Sequence, residues 1–344
     1  MFPHQRVIVR RGPESGLPII VAIHSTTRGP AIGGCRMATY PDWRDGLADA
    51  LRLSAAMTVK CALAGLPHGG GKTVIVIPPG TSEPARTAAL HDAGTTIEEL
   101  GGAYATGPDV GTGPDDMVVI GERTDHVFCR PVEAGGSGDS SPATAAGTVA
   151  ALRALCEFRF GTPDLARRSF AVLGLGRVGR RVADLLAAAN ARVVASDLDE
   201  SKRPHQDNIE WTDPDECLRK EVDVLVPAAM GGLLNPATIP TLRCKAIAGP
   251  ANNQLDQEGA AKLLHDRGIL WAPDAVVSAG GIIHATAVEL RHKSPAEALT
   301  LVGAIGDTLR AILRAAAEAG IPPAEAATAQ AATAQAATAQ AVGR

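Results

Sequence analysis

Residues 169–199 read SFAVLGLGRVGRRVADLLAAANARVVASDLD, and this stretch decides the fold. A short apolar run leads into a glycine-rich turn, a helical segment follows, and a second apolar run ends at Asp197. Gly174, Gly176 and Gly179 have the spacing G-x-G-x-x-G. A strand, this turn, a helix and an acidic residue about 20 positions further on are typical of a Rossmann-type dinucleotide-binding domain.

Each conserved feature of this motif type has a physical task. Gly174 permits a tight turn, Gly176 lets the backbone approach a pyrophosphate, and Gly179 lets the helix pack on the strand. The carboxylate of Asp197 would accept hydrogen bonds from ribose hydroxyls and repel a 2′-phosphate, so we predict NAD rather than NADP. The alternative is a purely structural glycine turn. The cofactor-binding residues predicted from this motif are Gly174, Leu175, Gly176, Arg177, Val178, Gly179, Asp197 and Leu198.

The composition limits the functional classes. With 344 residues, 45% of them hydrophobic, the chain is long enough for two domains with cores of their own. A net charge of −4 does not indicate a broad affinity for nucleic acid. The six cysteines form no C-x-x-C pair and the histidines show no metal-ligand spacing, so no metal is predicted. There is no membrane-span or signal-peptide pattern, and we expect a cytoplasmic protein.

The order of apolar segments indicates an α/β protein of two domains. The flexible stretch EAGGSGDSSP at 133–142 predicts the domain junction, and three Ala-Ala-Thr-Ala-Gln repeats mark a low-complexity tail that we expect to be dispensable for chemistry. The predicted domains are 1–136, 137–320 and the tail 321–344. Helices are predicted at 45–64 and 84–100. The predicted strands cover 19–24, 73–77, 169–173, 192–196, 222–226, 245–248 and 269–272.

The stretch GLPHGGGKTVIV at 65–76 contains Gly-Lys-Thr but does not fit a phosphate-binding P-loop. Leu66 stands where the first glycine of that motif is required, and a helical segment precedes the glycines while a strand follows them, which is the reverse of the required order. Lysine is scarce in this chain, with seven lysines among 33 basic residues, yet Lys60 and Lys72 lie close together. We therefore expect a glycine loop that holds Lys72 so that its amine takes part in a reaction.

Six segments give the chain a family resemblance. They are TTRGPAIGGCRM (26–37), LRLSAAMTVKCALAGLPHGGGKTVIV (51–76), TGPDVGTGPDDM (106–117), SGDSSPATAAG (137–147), IAGPANNQL (247–255) and GILWAPDAVVSAGGIIH (268–284). Over residues 18–320 the chain resembles the amino acid dehydrogenases of the glutamate/leucine/phenylalanine/valine superfamily. The resemblance implies an N-terminal α/β substrate domain, a C-terminal Rossmann domain with a cleft between them, and a homo-oligomer. It also implies reversible oxidative deamination of an L-amino acid to a 2-oxo acid and ammonia.

The same resemblance implies roles for individual residues. Lys60 matches the lysine that binds the substrate carboxylate, while Lys72 and Asp109 match the catalytic lysine and aspartate. The other residues implied to bind substrate are Ile32, Gly33, Gly34, Gly107, Asn253, Ile282 and Ala285. Those implied to contact the cofactor are Thr144, Ala228, Ala229 and Asn253.

The sequence leaves alternatives for the substrate, for individual site residues and for the activity itself. Glutamate dehydrogenases carry a lysine where this chain has Ile32, so we predict a neutral, apolar substrate, with branched-chain and aromatic side chains both possible. Asp109 lies among glycines and prolines and could be only a turn residue, and Asn252 and Asn253 could cap a helix. Ser278 replaces the asparagine usual in the family. The alternative to an enzyme is a catalytically weak relative that binds NAD and senses amino acids.

Overall fold

The computed structural model describes residues 3–229, 231–257 and 259–342, which fall into two compact units. The first comprises the described residues within 1–139, 285–294 and 331–344, and the second those within 140–284 and 295–330. The change at 139/140 lies inside the segment predicted as the junction. The division differs from the predicted ranges, because 137–139, 285–294 and the described part of 331–344 group with the first unit, and 321–330 of the predicted tail group with the second. Residues 343 and 344 of the predicted tail lie outside the described residues.

The first unit contains a mixed sheet with helices on both faces. Its helices are α1 (Trp43–Leu63), α2 (Glu83–Glu98) and α3 (Pro114–Gly121). Its strands are β1 (Arg6–Arg11), β2 (Pro18–Ser25), β3 (Ala31–Ala38), β4 (Gly69–Val76) and β5 (Tyr104–Pro108). The spatial order is β1-β2-β4-β3-β5, in which β3 pairs in parallel with both β4 and β5, while β2 pairs antiparallel with β1 and β4.

Strand β2 shows why the sheet is covered on both faces. Successive side chains of a strand point to opposite faces, and residues 19–23 of this strand are all buried and aliphatic. Ile19, Val21 and Ile23 pack into the cluster that α2 and α3 complete. Ile20 and Ala22 pack into a second cluster with residues of α1. Each fully buried isoleucine contributes about 1.5–3 kcal/mol to stability, so this strand anchors both layers.

Strand β4 corrects the prediction of a glycine loop before Lys72. The predicted strand began at Thr73, but β4 begins at Gly69 and all of its residues are buried. A Cβ on Gly70 would lie 2.1 Å from the backbone nitrogen of Thr58 in α1, and one on Gly71 would lie 2.5 Å from the ring of Tyr104. The glycines allow neighbouring elements to touch the strand backbone. Sequence patterns fail here because glycine normally weakens a strand.

The second unit is a doubly wound parallel sheet. Its strands are β6 (Ser169–Leu173), β7 (Arg192–Ser196), β8 (Ile209–Trp211), β9 (Val224–Pro227), β10 (Ala246–Ile247) and β11 (Leu270–Trp271). They lie in the order β11-β10-β9-β6-β7-β8 and are parallel throughout. In chain order within this unit this is 3-2-1-4-5-6 read from the β8 edge, the arrangement of dinucleotide-binding folds. The α/β fold predicted from residues 169–199 is therefore confirmed.

The helices of this unit cover its sheet, and one further helix forms the tail. They are α4 (Ser141–Phe160), α5 (Arg177–Ala188), α6 (Pro214–Arg219), α7 (Ala260–Asp266), α8 (Asp274–Val277), α9 (Gly280–Ala285), α10 (Pro295–Gly303) and α11 (Ile305–Ala319). The repeats lie in α12 (Pro323–Val342). Arg28 Nη1 donates to the carbonyl oxygen of Ala334 at 2.7 Å and to Thr338 Oγ1 at 2.9 Å. Within the described residues no helix is long and apolar enough to cross a membrane.

The close approach of α1 to β4 makes a stability prediction. Gly70→Ala would place a methyl group 2.1 Å from Thr58 N and 2.4 Å from the Ser54 carbonyl oxygen, both backbone atoms that cannot rotate away. We expect a loss of at least about 1–3 kcal/mol, the usual cost of overpacking a core. Gly113→Ala, where no atom lies within 4 Å, is the matched control. A melting temperature of Gly70→Ala equal to that of the control would contradict this packing.

Candidate active site

A buried lysine and an aspartate form the centre of the candidate site. Lys72 lies in the middle of β4 and is 5% exposed. Its Nζ donates to Asp109 Oδ2 at 2.5 Å, and Asp109 directly follows the last residue of β5. Strand β3 lies between these two strands in the sheet and pairs with both. The two predicted catalytic residues, separated by 37 positions in the chain, are therefore brought into contact.

The predicted glycines of β3 leave room for this pair. A Cβ on Gly34 would lie 2.8 Å from Asp109 Cβ and 3.2 Å from Lys72 Nζ. A Cβ on Gly33 would lie 1.9 Å from the carbonyl oxygen of Gly71 on the neighbouring strand. Any side chain at these two positions would displace the lysine, the aspartate or the strand that carries the lysine.

Arg36 is a third member of the site that sequence reasoning missed. Its Nε donates to the same Asp109 Oδ2 at 2.9 Å, so one carboxylate oxygen accepts from two cations. Arg36 follows Gly34 by two positions in β3, and residues two apart share a face of a strand. The signal was present in the quoted segment TTRGPAIGGCRM, but β3 itself was not predicted, so the shared face could not be inferred.

Burial and the neighbouring charges set the protonation of the pair. Burial lowers the pKa of Lys72, the Asp109 carboxylate raises it, and the Arg36 guanidinium lowers it again; the result lies below the ordinary value of 10.5. Burial acts to raise the pKa of Asp109, but the Lys72 and Arg36 cations outweigh burial and lower it. Burial raises the pKa of the neighbouring Cys35 thiol to about 12, so that thiol is protonated at neutral pH. These directions favour a proton-exchanging amine at Lys72.

The turn that carries Asp109 is held from β3. The backbone nitrogen of Asp109 donates to Thr112 Oγ1 at 3.0 Å, and that hydroxyl donates to the carbonyl oxygen of Cys35 at 2.7 Å. Gly111 has a φ of +80° and approaches Met37 so closely that a Cβ would lie 1.9 Å from its carbonyl oxygen. The interpretation of Asp109 as only a turn residue is incomplete, because its side chain binds two cations as well as the backbone of Val110 in the turn.

The other predicted substrate residues of the first unit differ in accessibility. Ile32 and Ala285 are fully buried, so their side chains already pack against protein. A Cβ on Gly107 would lie 2.6 Å from the Phe128 ring, so that ring packs directly against the backbone of β5. Lys60 lies half-buried in the last turn of α1.

The glycine motif of the second unit fits a dinucleotide. Gly174 has a φ of +103°, and a Cβ there would lie 2.7 Å from Ala229 Cβ and 2.9 Å from the carbonyl carbon of Ala228. A Cβ on Gly179 would lie 2.0 Å from the Gly174 carbonyl oxygen. Gly176 begins α5 without a side-chain cap, and a Cβ there would meet no atom within 4 Å. Protein packing thus explains Gly174 and Gly179, whereas Gly176 leaves open space before a helix N-terminus, where a pyrophosphate fits.

The carboxylate of Asp197, which follows the last residue of β7, is held by three hydrogen-bond donors. Its Oδ2 accepts from the backbone nitrogen of Leu175 at 2.7 Å, and its Oδ1 accepts from the backbone nitrogen of Asp199 at 3.0 Å and from Lys202 Nζ at 3.1 Å. Burial acts to raise its pKa, but these donors together lower it, so the group stays ionised. This ion pair brings Lys202, five positions further along the chain, beside Asp197. Leu198 is 92% exposed.

The remaining predicted residues are spread over the second unit. Thr144 Oγ1 donates to the Ser140 carbonyl oxygen at 2.9 Å. Asn253 is exposed with a left-handed backbone at φ 52°, and α7 begins after Gly259, so the alternative of a helix cap at Asn252 and Asn253 does not describe this segment. Ser278 Oγ lies 3.1 Å from Asn252 Oδ1.

Ile282, another predicted substrate residue, is half-buried. The part of the chain that the structure describes contains no group of three or more His, Cys, Asp or Glu side chains arranged to hold a metal ion.

Comparison with family models gives two matches. Residues 4–126 match the Glu/Leu/Phe/Val dehydrogenase dimerisation domain, and residues 195–343 match the glutamate/leucine/phenylalanine/valine dehydrogenase domain. Among curated proteins, a phenylalanine dehydrogenase from Caldalkalibacillus thermarum is 40% identical over 94% of this chain and 89% of its own length. A valine dehydrogenase from Streptomyces albus is 40% identical over 94% of this chain and 90% of its own length.

Solved structures agree with these matches. The L-tryptophan dehydrogenase of Nostoc punctiforme superposes with a TM-score of 0.84 at 33% identity, covering 98% of this chain and 97% of its own. The resemblance drawn from six sequence segments and the enzyme class it implies are confirmed. This chain belongs to the glutamate/leucine/phenylalanine/valine dehydrogenase family of amino acid oxidoreductases.

Proposed function

We propose that this protein catalyses the reversible oxidative deamination of a neutral, apolar L-amino acid with NAD. The observation that carries the proposal is the buried contact of Lys72 Nζ with Asp109 at 2.5 Å. The phenylalanine and valine dehydrogenases that are 40% identical to this chain support both the reaction and the substrate class. The homo-oligomer proposed here is supported by the dimerisation-domain match, and the cytoplasmic location by six free, buried cysteines.

The reaction converts an L-amino acid, NAD⁺ and water into a 2-oxo acid, ammonium, NADH and a proton. The bound nicotinamide supplies the hydride acceptor. Lys60 would bind the substrate carboxylate with its ammonium group. Lys72 as a neutral amine would take a proton from the water that attacks the imino carbon, and Asp109 would pass protons to and from the substrate nitrogen. The lowered pKa of Lys72 supports this assignment, because a base must be deprotonated at working pH.

Substrate choice tests the proposal most simply. Ile32, Gly107, Ile282 and Ala285 are uncharged, and an amino acid with a side-chain carboxylate would leave a buried charge unpaired at a cost of several kcal/mol. We expect NADH formation with L-phenylalanine, L-tryptophan, L-valine or L-leucine, and kcat/KM for L-glutamate at least about a hundredfold lower. A panel of amino acids followed by NADH absorbance measures this. L-glutamate as the best substrate would refute the proposed class.

Cofactor choice depends on the Asp197–Lys202 ion pair. Asp197 presents an ionised carboxylate at the end of β7, where it opposes a 2′-phosphate, and its pairing with Lys202 neutralises the nearest cation. We expect NAD to be preferred over NADP. Asp197→Ser removes the repulsion and frees the Lys202 ammonium, so the ratio of kcat/KM for NAD to NADP should fall by at least about tenfold. Asp199→Ser is the matched control. An unchanged ratio in Asp197→Ser would show that other residues select the cofactor.

Lys72→Arg distinguishes whether Lys72 acts as a general base or only supplies a positive charge. The guanidinium keeps the positive charge but does not deprotonate in proteins. We expect kcat for deamination to fall at least about a hundredfold, the low end for loss of a general base. In the wild type, kcat should rise with pH through a pKa below 10.5, because the neutral amine is the active form.

Lys72→Met, which removes both the charge and the base, is the companion variant. NADH affinity and melting temperature show whether each variant keeps the fold. A folded Lys72→Arg enzyme with near-normal kcat would show that Lys72 supplies only charge.

A further inference from the structure

The Asp109 carboxylate is also bound by Arg36, a residue to which the proposed chemistry gives no role. The guanidinium of Arg36 donates through Nε to Asp109 Oδ2 at 2.9 Å and through Nη1 to Asp49 Oδ2 at 2.6 Å. The Arg36 side chain is 18% exposed, and those of Asp109 and Asp49 are 24% and 14% exposed. Arg36 therefore joins the proposed catalytic aspartate to a second carboxylate on α1.

Asp49 is itself firmly held. Its Oδ2 also accepts from the Tyr40 hydroxyl at 2.8 Å, and its Oδ1 accepts from Arg52 Nη2 at 2.7 Å. A planar guanidinium whose far side is bound in this way has little freedom to rotate. The position of Arg36 Nε, and with it the position of Asp109 Oδ2, is set by contacts that reach from β3 to α1.

The positive charge of Arg36 keeps Asp109 paired when Lys72 is deprotonated. When Lys72 gives up its proton, an ion pair that is mostly buried loses its cation, and an unpaired buried carboxylate is costly. Arg36 does not deprotonate in proteins, so Asp109 keeps a cationic partner on the same oxygen through the whole proton cycle. The carboxylate can then remain ionised while the amine becomes neutral.

We propose that Arg36 is a positioning residue, which holds the Asp109 carboxylate against Lys72 Nζ and keeps it paired while Lys72 is neutral. This inference rests on the proposed function, since it assigns Arg36 to the proton chemistry of Lys72 and Asp109. Arg36 need not touch substrate or cofactor for this role. The competing explanation is that Arg36 only ties β3 to α1.

The charges around Lys72 define the expected pH effect. Burial lowers the pKa of Lys72, and of the two charges beside the amine Asp109 raises it while Arg36 lowers it. Cys35 also lies near the amine, but burial raises the pKa of its thiol to about 12, so it stays uncharged, and Asp116 and Arg86 near that thiol pair with each other at 2.6 Å. Removing the Arg36 charge therefore raises the pKa of Lys72. The pH at which deamination reaches half of its maximum must move to the alkaline side.

Arg36→Gln and Arg36→Lys test the two parts of the proposal. Arg36→Gln removes the charge, so we expect kcat for deamination to fall at least about tenfold, the cost of one charge-assisted hydrogen bond. The midpoint of the pH profile should also move upward. Arg36→Lys keeps the charge but cannot donate to both carboxylates in one plane, so we expect a lower kcat with the wild-type midpoint. Affinity for NADH should stay within about twofold in both, because the contacts of Arg36 lie in the first unit.

Arg44→Gln is the matched control, since Arg44 lies at the start of the same helix α1 and its ion pair is with Asp42, outside the Arg36–Asp49–Asp109 contacts. It should behave as the wild type in kcat and pH profile. A folded Arg36→Gln enzyme with an unchanged pH midpoint would overturn the proposal, whether or not its melting temperature falls. If Arg36→Gln does not fold, wild-type kcat in Arg36→Lys, or an upward shift of its midpoint, would overturn it. A wild type that deaminates no amino acid would instead refute the proposed function.

Discussion

The contact of a buried lysine amine with one aspartate oxygen is the constraint on which the first unit depends. Lys72 reaches Asp109 across β3, where Gly34 leaves the space between them that a side chain would fill and Gly33 lets β3 lie against the backbone of β4. Burying an amine and a carboxylate together costs desolvation free energy, which only close geometry and further hydrogen bonds offset. The structure meets this requirement with Arg36, whose guanidinium binds the same oxygen at 2.9 Å. The glycines, the strand order and the arginine are parts of one solution to that cost.

In the second unit the main constraint is the tight turn between β6 and α5. Its parallel sheet has the doubly wound order, and the turn after β6 combines a backbone at positive φ with a close contact between the turn and the start of α5. Gly174 and Gly179 serve this internal packing. Gly176 has no atom within 4 Å of the place where a Cβ would lie, so packing does not explain its lack of a side chain, and we propose that a pyrophosphate occupies this space. The turn and packing roles that the motif predicts for Gly174 and Gly179 thus agree with the structure, while the role of Gly176 in binding a pyrophosphate stays a prediction.

The sequence predicted the second unit well and the first unit only in part. Strands such as 169–173 are continuous apolar runs that local patterns identify, and the glycine motif lies between two of them. Strand β3 contains two glycines and an arginine, and β4 begins with three glycines, so neither has a strand-like composition along its full length. Their pairing is decided by contacts with distant segments. Lys72 and Asp109 were recognised through the family resemblance, whereas Arg36 could be found only once β3 was known to place it beside Gly34.

Burial lowers the pKa of the Lys72 amine below 10.5, and the proposed role as base requires that this amine titrates within the working pH range. Competitive labelling of lysine amines with a trace acylating reagent, followed across neutral to alkaline pH by mass spectrometry, measures this for each of the seven lysines in one sample. Lys220 is an internal reference, because its hydrogen bond with Glu210 raises its pKa. Lys72 should titrate below 10.5 and below Lys220. Titration of Lys72 together with Lys220, or above it, would contradict the assignment of Lys72 as the base.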